Sequence, residues 1–311
     1  MEVGVSLPNI GMMATRENIL TIADRAESLG LDSVWVGDHL GFPKKPKLPY
    51  PYSRGTPMYL TASQPILDPF AVMAAVAART QRVRIGTSVL ILPYRHPMVT
   101  AKLVASIDHI AGGGRVILGV GAGWIPEEFD ALNLSLEQRG AMTDEQIAYL
   151  REALSKSDPQ YKGKFYHLSG FDLLPKPAKP IPVWIGGQSK AAIRRTVRMG
   201  DGLHMLDLSA EEMRPIVADL KAECKKAGRK SEEIVLSIRS QAHIKDKATP
   251  EERKRPITGS VQQIIDELKE FGRMGIKHVC LGPGPGASGL DGFLRHMEII
   301  AKEIKPAVAG K

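Results

Sequence analysis

Leu29-Gly30-Leu31-Asp32-Ser33-Val34-Trp35-Val36-Gly37-Asp38-His39 holds one complete unit of the fold. A helical pattern ends at Gly30, a short apolar strand follows, and polar residues stand where the strand stops. Glycine suits the position after a last helical turn because it accepts the left-handed backbone that closes a helix. A parallel strand covered on both faces reads as a short apolar run rather than an alternating one. The same spacing returns at Met274-Gly275-Ile276-Lys277-His278-Val279-Cys280-Leu281-Gly282.

Working outward from this unit gives eight strand candidates: Val3–Leu7, Ser33–Val36, Val83–Thr87, Val116–Val120, Val183–Ile185, Gly202–Met205, Ile234–Arg239 and His278–Leu281. Each is followed by a helical pattern. Asp68-Pro69 and Pro97 are helix starts, and Ser209-x-x-Glu212 and Ser260-x-x-Gln263 are capping boxes. Eight alternations predict an α/β fold of the (β/α)8 barrel type, whose usual size is about 250 residues. A doubly wound open sheet is the alternative. The surplus length falls in three loops, 39–67, 157–181 and 242–258. No linker interrupts the chain, so 1–311 reads as a single domain.

The composition supports a globular protein with a small anionic ligand more than a nucleic-acid binder. Of 311 residues 43% are hydrophobic and 24% charged, enough for a large core and too balanced for disorder. The longest run free of polar residues, Gly and Pro is Phe70–Ala78, half of a membrane span. The N-terminal residues show no signal-peptide pattern, and a cytoplasmic location is expected. Cys224 and Cys280 lie far apart, which excludes a disulfide scaffold and a structural zinc site, and no metal is expected. The formal net charge of +8 suits an anionic partner. The basic residues are scattered and aromatics are 5%, which favours an anionic small ligand over nucleic acid.

Barrel chemistry sits at the C-terminal ends of the strands. Asp38 and His39 stand there, as do Ser88, Arg95, His96 and His204; the Asp38-His39 pair suits an orienter and an acid/base residue, the alternative being a capping Asp followed by a surface His. Adjacent Asp38 and His39 cannot easily bond each other, so they would address two parts of one ligand. Gly119, Gly121 and Gly123 remove three side chains, which suits either a flat ring approaching the backbone or a tight turn with a bulge, and Trp124 follows, to wall a pocket or to pack beneath the loop. Gly186-Gly187-Gln188-Ser189 opens a helix whose free N–H groups and positive end suit a phosphate, the alternative being an ordinary barrel turn with a Ser cap. Gly284-Pro285-Gly286-Ala287-Ser288-Gly289 has the form of a dinucleotide fingerprint but follows the last strand, and a Rossmann reading is rejected. His109, His167 and His278 read as structural or exposed.

Ser33-Val34-Trp35-Val36-Gly37-Asp38-His39, Ile85-Gly86-Thr87-Ser88-Val89-Leu90, Arg95-His96-Pro97 and Gly113-Gly114-Arg115-Val116 form an ordered series. It continues through Leu118-Gly119-Val120-Gly121-Ala122-Gly123-Trp124, Glu128-Phe129, Pro182-Val183-Trp184-Ile185-Gly186-Gly187, Ala191-Ala192-Ile193 and Gly200-Asp201-Gly202. The series resembles the luciferase-like monooxygenase superfamily, and within it the branch that depends on the deazaflavin coenzyme F420. The likeness covers most of the chain, least clearly after residue 240. It implies a homodimeric (β/α)8 barrel with a flavin or deazaflavin across its mouth and a small organic substrate. Trp-x-x-Asp-His after the second strand is more similar to the F420 branch than to the flavin mononucleotide (FMN) branch. F420 is therefore the expected cofactor and FMN the alternative. The implied roles are His39 as acid/base residue and Asp38 as a cofactor contact. Ser88 and Val89, joined by a non-prolyl cis peptide, would lie behind the ring, with Gly121 to Gly123 at its edge. The implied reaction is hydride transfer. FMN-dependent oxygenation and a barrel that binds its cofactor without turnover are the alternatives.

Overall fold

The computed structural model describes residues 1–48, 63–284 and 287–309. The expected cadence of strands and helices is present. The strands are β1 (Glu2–Ser6), β2 (Ser33–Val36), β3 (Arg84–Thr87), β4 (Val116–Gly121), β5 (Val183–Gly186), β6 (Gly202–Leu206), β7 (Val235–Ile244) and β8 (Ile276–Pro283). Each pairs in parallel with its neighbours in chain order, and β8 pairs with β1, so the sheet closes. The protein is a (β/α)8 barrel, and the open-sheet alternative is excluded. Helices α1 (Arg16–Ser28), α2 (Pro69–Arg79) and α3 (Pro97–Ile110) follow the first three strands. α4 (Pro126–Ala131) and α5 (Arg139–Ser155) both follow β4. α6 (Lys190–Met199), α7 (Ala210–Ala227), α8 (Val261–Arg273) and α9 (Gly289–Ile299) complete the ring. None of the described helices is long and apolar enough to cross a membrane.

The local signals act as expected. Asp68 accepts the Phe70 N–H at 2.8 Å, and both capping boxes are closed. Gly30 and Gly275 adopt φ of +69° and +97° just past α1 and α8. The cap of α3 is less obvious from sequence: the His96 ring accepts the Met98 N–H at 3.2 Å. In the loop of 157–181, Tyr161–Lys162 pairs antiparallel with His167–Leu168. β7 runs five residues beyond the expected Arg239, because Ser240–Ala242 continue the pairing with Leu281–Pro283 of β8 and Thr258–Gly259 returns to pair with His243 and Ile244. The loop expected at 242–258 therefore starts inside a strand. Of the loop 39–67, residues 49–62 lie outside the described residues, as do Pro285 and Gly286 of the glycine-rich turn after β8.

Alternate strand positions face two different cores. Val34, Val36, Ile85, Leu203, Met205, Ile238 and Val279 face outward and pack with the helices. Trp35, Ile117, Trp184 and Cys280 face inward and form a separate cluster in the barrel lumen. At the bottom of the barrel Arg115 gathers the loose ends of two helices. Its guanidinium donates to the carbonyls of Ala77, Thr80, Val83 and Ala111 and to the Thr80 hydroxyl, all between 2.8 and 3.0 Å. The last turns of α2 and α3 leave such carbonyls without helical partners, and a buried unpaired carbonyl is costly. Lysine has three donors on one nitrogen where arginine has five in a fork. Arg115→Lys should destabilise the barrel by ~2 kcal/mol or more, read as a lower urea midpoint at unchanged slope. A wild-type midpoint would mean the helix ends do not depend on this side chain.

Candidate active site at the barrel mouth

The loop leaving β2 is anchored before it reaches its two polar residues. Asn9 accepts the Gly37 N–H at 2.9 Å and donates to the Gly37 carbonyl at 2.8 Å. Asp38 then turns inward and His39 does not. The Asp38 carboxylate is buried and accepts from Arg95 at 2.7 and 3.0 Å and from the Ile91 N–H at 2.9 Å. Burial raises this carboxyl above its ordinary value, and the Arg95 guanidinium and the Ile91 N–H work against that. Asp38 thereby ties the β2 loop to the segment after β3.

His39 lies at the mouth, with its side chain 14% exposed. Its Nδ1 is 2.9 Å from Glu128 Oε2 on α4, and its ring lies 5.0 Å from Phe42 and 6.3 Å from Trp124. Glu128 also accepts from the Tyr94 hydroxyl at 2.6 Å and from the Leu40 N–H at 2.5 Å. Burial acts to raise the Glu128 carboxyl, but the His39, Tyr94 and Leu40 contacts outweigh it and hold the group below its ordinary range. An ionised Glu128 takes the proton-bearing Nδ1 of His39, which leaves Nε2 as the nitrogen for a ligand.

The segment after β3 carries a cis peptide between Ser88 and Val89, as expected. The glycines around it have an unforeseen job. A Cβ at Gly121 or Gly186 would lie 2.7 Å from a Val89 methyl, and one at Gly119 would lie 2.0 Å from the Thr87 carbonyl oxygen. A Cβ at Gly123 would meet Ile91 at 2.8 Å and Phe129 at 2.9 Å. The space freed at these positions is filled by protein, so the glycines seat the β3 segment and Val89.

The turn after β5 is tightly occupied on one side. The Gly187 N–H bonds to the His204 carbonyl at 3.0 Å with φ of +110°, and the Gln188 amide bridges both backbone groups of Leu206 at 3.2 and 3.4 Å. Ser189 caps α6 through the Ala192 N–H at 3.2 Å. Arg195 is turned toward Asp144 and the Gly140 carbonyl on α5, away from this turn.

Residues 1–278 match the family model described as luciferase-like monooxygenase. The chain belongs to that family. The F420-dependent glucose-6-phosphate dehydrogenase of Amycolatopsis mediterranei is 34% identical over 189 residues, 60% of this chain and 52% of that enzyme. Among solved structures, an F420-dependent secondary alcohol dehydrogenase in complex with an F420-acetone adduct is similar with TM-score 0.78. It is 20% identical, and 99% of each chain is covered. The oxygenating constituent of 3,6-diketocamphane monooxygenase of Pseudomonas putida, in complex with FMN, is similar with TM-score 0.75. It is 15% identical, again with 99% of each chain covered. The solved structures share the luciferase-like fold, and the family and the dehydrogenase relative make the chain an oxidoreductase.

In this luciferase-like barrel Asp38, His39, Ser88, Val89, Gly121, Gly123 and Trp124 gather where β2, β3 and β4 end. Gly186, Gly187, Gln188 and Ser189 follow β5. Glu128 and Tyr94 were not singled out in advance as partners of His39, although an acidic residue soon after a glycine-rich strand end is a signal that could have been used. His278, expected to be structural or exposed, is fully buried in the lumen. Glu128→Gln keeps the shape but removes the charge that His39, Tyr94 and Leu40 bond to. It should cost ~1–3 kcal/mol at pH 7. The Glu128 carboxyl is held below its unfolded value, so its contribution is present above that value and lost as pH falls through the folded one. Urea unfolding at pH 7 and pH 4 should show the gap between variant and wild type narrowing on acidification. A constant gap would remove the charge from the account.

Proposed function

We propose that the protein is a coenzyme F420-dependent oxidoreductase that transfers a hydride between the deazaflavin and a small organic substrate at the barrel mouth. The observation that carries this reading is His39, fixed through Nδ1 by buried Glu128 with Nε2 left for a ligand. The relationship to F420-dependent glucose-6-phosphate dehydrogenase favours the deazaflavin over FMN. The whole chain would act as one barrel, in the cytoplasm and as a homodimer.

The residues present fit such a group. Val89 offers an apolar surface seated by Gly121 and Gly186, and the open end of α6 offers N–H groups beside Ser189 for a phosphate. Bound F420 would supply the hydride chemistry. The chain would supply placement and a proton partner. His39 would hold or accept a proton at Nε2, with Glu128 stabilising the charged ring. Asp38 would act through Arg95 and Ile91, keeping His39 and the β3 segment in one arrangement. Trp124 and Phe42 would flank His39 and limit water.

Titration followed by tryptophan fluorescence should show F420 binding at micromolar levels or tighter and FMN more weakly. Tighter FMN binding with oxygen consumption would move the protein to the FMN branch. His39→Ala should lower turnover by about a hundredfold with cofactor affinity nearly unchanged. A variant that keeps its rate would make His39 structural.

The phosphate position has a cleaner probe than the glycines. Gly187 adopts φ of +110°, so any side chain there strains the backbone whatever it does to a ligand. Ser189→Asp keeps a good N-cap and adds a negative charge beside the proposed phosphate. Unfolding midpoints should stay the same while F420 affinity falls by about tenfold, ~1.4 kcal/mol. Unchanged affinity would place the phosphate elsewhere.

A further inference from the structure

A file of polar side chains crosses the barrel lumen from its lower half to its mouth. Trp35 Nε1 lies 2.8 Å from Ser33 Oγ, which lies 2.8 Å from His278 Nε2. His278 Nδ1 is 2.8 Å from Ser237 Oγ, which is 2.8 Å from His204 Nδ1. His204 Nε2 is 2.8 Å from Ser88 Oγ at the C-terminal end of β3. All of these residues are buried, and Trp35 stacks on His204 with ring centroids 5.1 Å apart. Burial holds both imidazoles neutral, with His204 pushed down to about 3 and His278 well below its ordinary value.

The direction of these hydrogen bonds follows from elementary donor counting. An indole N–H can only donate, so Ser33 Oγ accepts from Trp35. Among the described residues the other partner of Ser33 Oγ is His278 Nε2, so the Ser33 proton goes to Nε2. A neutral His278 then carries its proton on Nδ1 and donates to Ser237. Ser237 in turn donates to His204 Nδ1, and a neutral His204 donates from Nε2 to Ser88 Oγ. The reverse direction would strand the Ser33 proton inside the lumen, at a cost of ~1–3 kcal/mol. Each bond also polarises the next in the same sense.

We propose that this relay fixes the Ser88 hydroxyl as a hydrogen-bond donor to the ligand at the barrel mouth. His204, Ser237 and His278 act as positioning residues set by Trp35. Ser88 Oγ accepts from His204, so its own proton is left to point outward at an acceptor atom of the bound ring. The Ser88 carbonyl is separately held by Arg239 at 2.9 Å, which steadies the residue that presents the hydroxyl. A ring with a carbonyl or unprotonated nitrogen at this edge is favoured, and one presenting an N–H is rejected. That the ring is a deazaflavin rests on the function proposed above; the direction of the relay does not.

The test separates the two. The protein is labelled with 15N-histidine and the long-range proton–nitrogen spectrum identifies each ring's tautomer. The expected pattern at neutral pH is His278 protonated on Nδ1 and His204 on Nε2. Ser237→Ala should abolish the defined tautomer of His204 in a folded protein. The opposite pair of tautomers, or a positively charged ring in the wild type, would overturn the relay. In the second arm F420 affinity is read by tryptophan fluorescence: Ser88→Ala should weaken it about tenfold and Ser237→Ala several-fold. Wild-type affinity in Ser88→Ala would overturn the donor role even if the tautomers are as expected. If the wild type takes FMN instead, the cofactor reading fails, and the same two variants measured with FMN still decide the role of Ser88.

Discussion

Filling the lumen of an eight-strand parallel barrel with large rings imposes the central constraint on this structure. Trp35, Trp184, His204 and His278 meet there, with centroid separations of 5.1 to 6.1 Å. Rings of that size fit only where neighbouring strands give up their side chains. A Cβ at Gly86 would lie 2.4 Å from the Trp35 ring, and one at Gly202 would lie 2.7 Å from Trp184. The ring nitrogens must also be paired, because a buried polar group without a partner costs as much as several buried methylenes gain. Ser33, Ser237 and Ser88 meet that need for Trp35, His278 and His204. Size and polarity together specify register: a slip of one residue on any strand would turn these rings outward and the aliphatic layer inward.

The mouth inherits its order from this interior. Ser88 is the last link of the file and the first residue of the segment that carries Val89, which Gly121 and Gly186 make room for. On the other side of the mouth, Asp38 and Glu128 are carboxylates whose oxygens are taken up by the protein itself. A site that must hold a flat ring against one histidine gains from such fixed partners, because small displacements of the reacting groups cost large factors in rate.

The architecture was legible in the sequence because its signals are local. Gly30 and Gly275 close helices, Ser209 and Ser260 open them, and the outward-facing aliphatic residues form the runs that mark the strands. Partnerships were not legible, because they cross the chain. Ser33 meets His278 across 245 positions and His39 meets Glu128 across 89. Asp38 shows the limit most clearly: its position at a strand end pointed to a ligand, while the structure commits both its oxygens to Arg95 and Ile91. The glycines of β4 show a related limit, since a missing side chain marks a close approach without saying whether ligand or protein makes it. The last two residues of β7 depended on Thr258–Gly259, a pairing no strand pattern announces.

The short helix α4 does more than present Glu128. Glu127 accepts the Lys47 N–H at 2.7 Å and Asp130 pairs with the Lys47 ammonium at 2.7 Å, while Glu128 holds the Leu40 and Gly41 N–H groups. Three acidic side chains on one turn thus clasp the loop that leaves β2. These two segments are therefore not independent modules. A drifting loop loses its clasp, and an altered helix releases both the loop and His39. Chimeras that borrow a mouth loop from another luciferase-like barrel therefore have to carry residues 39–48 and 126–131 together, as one inherited pair.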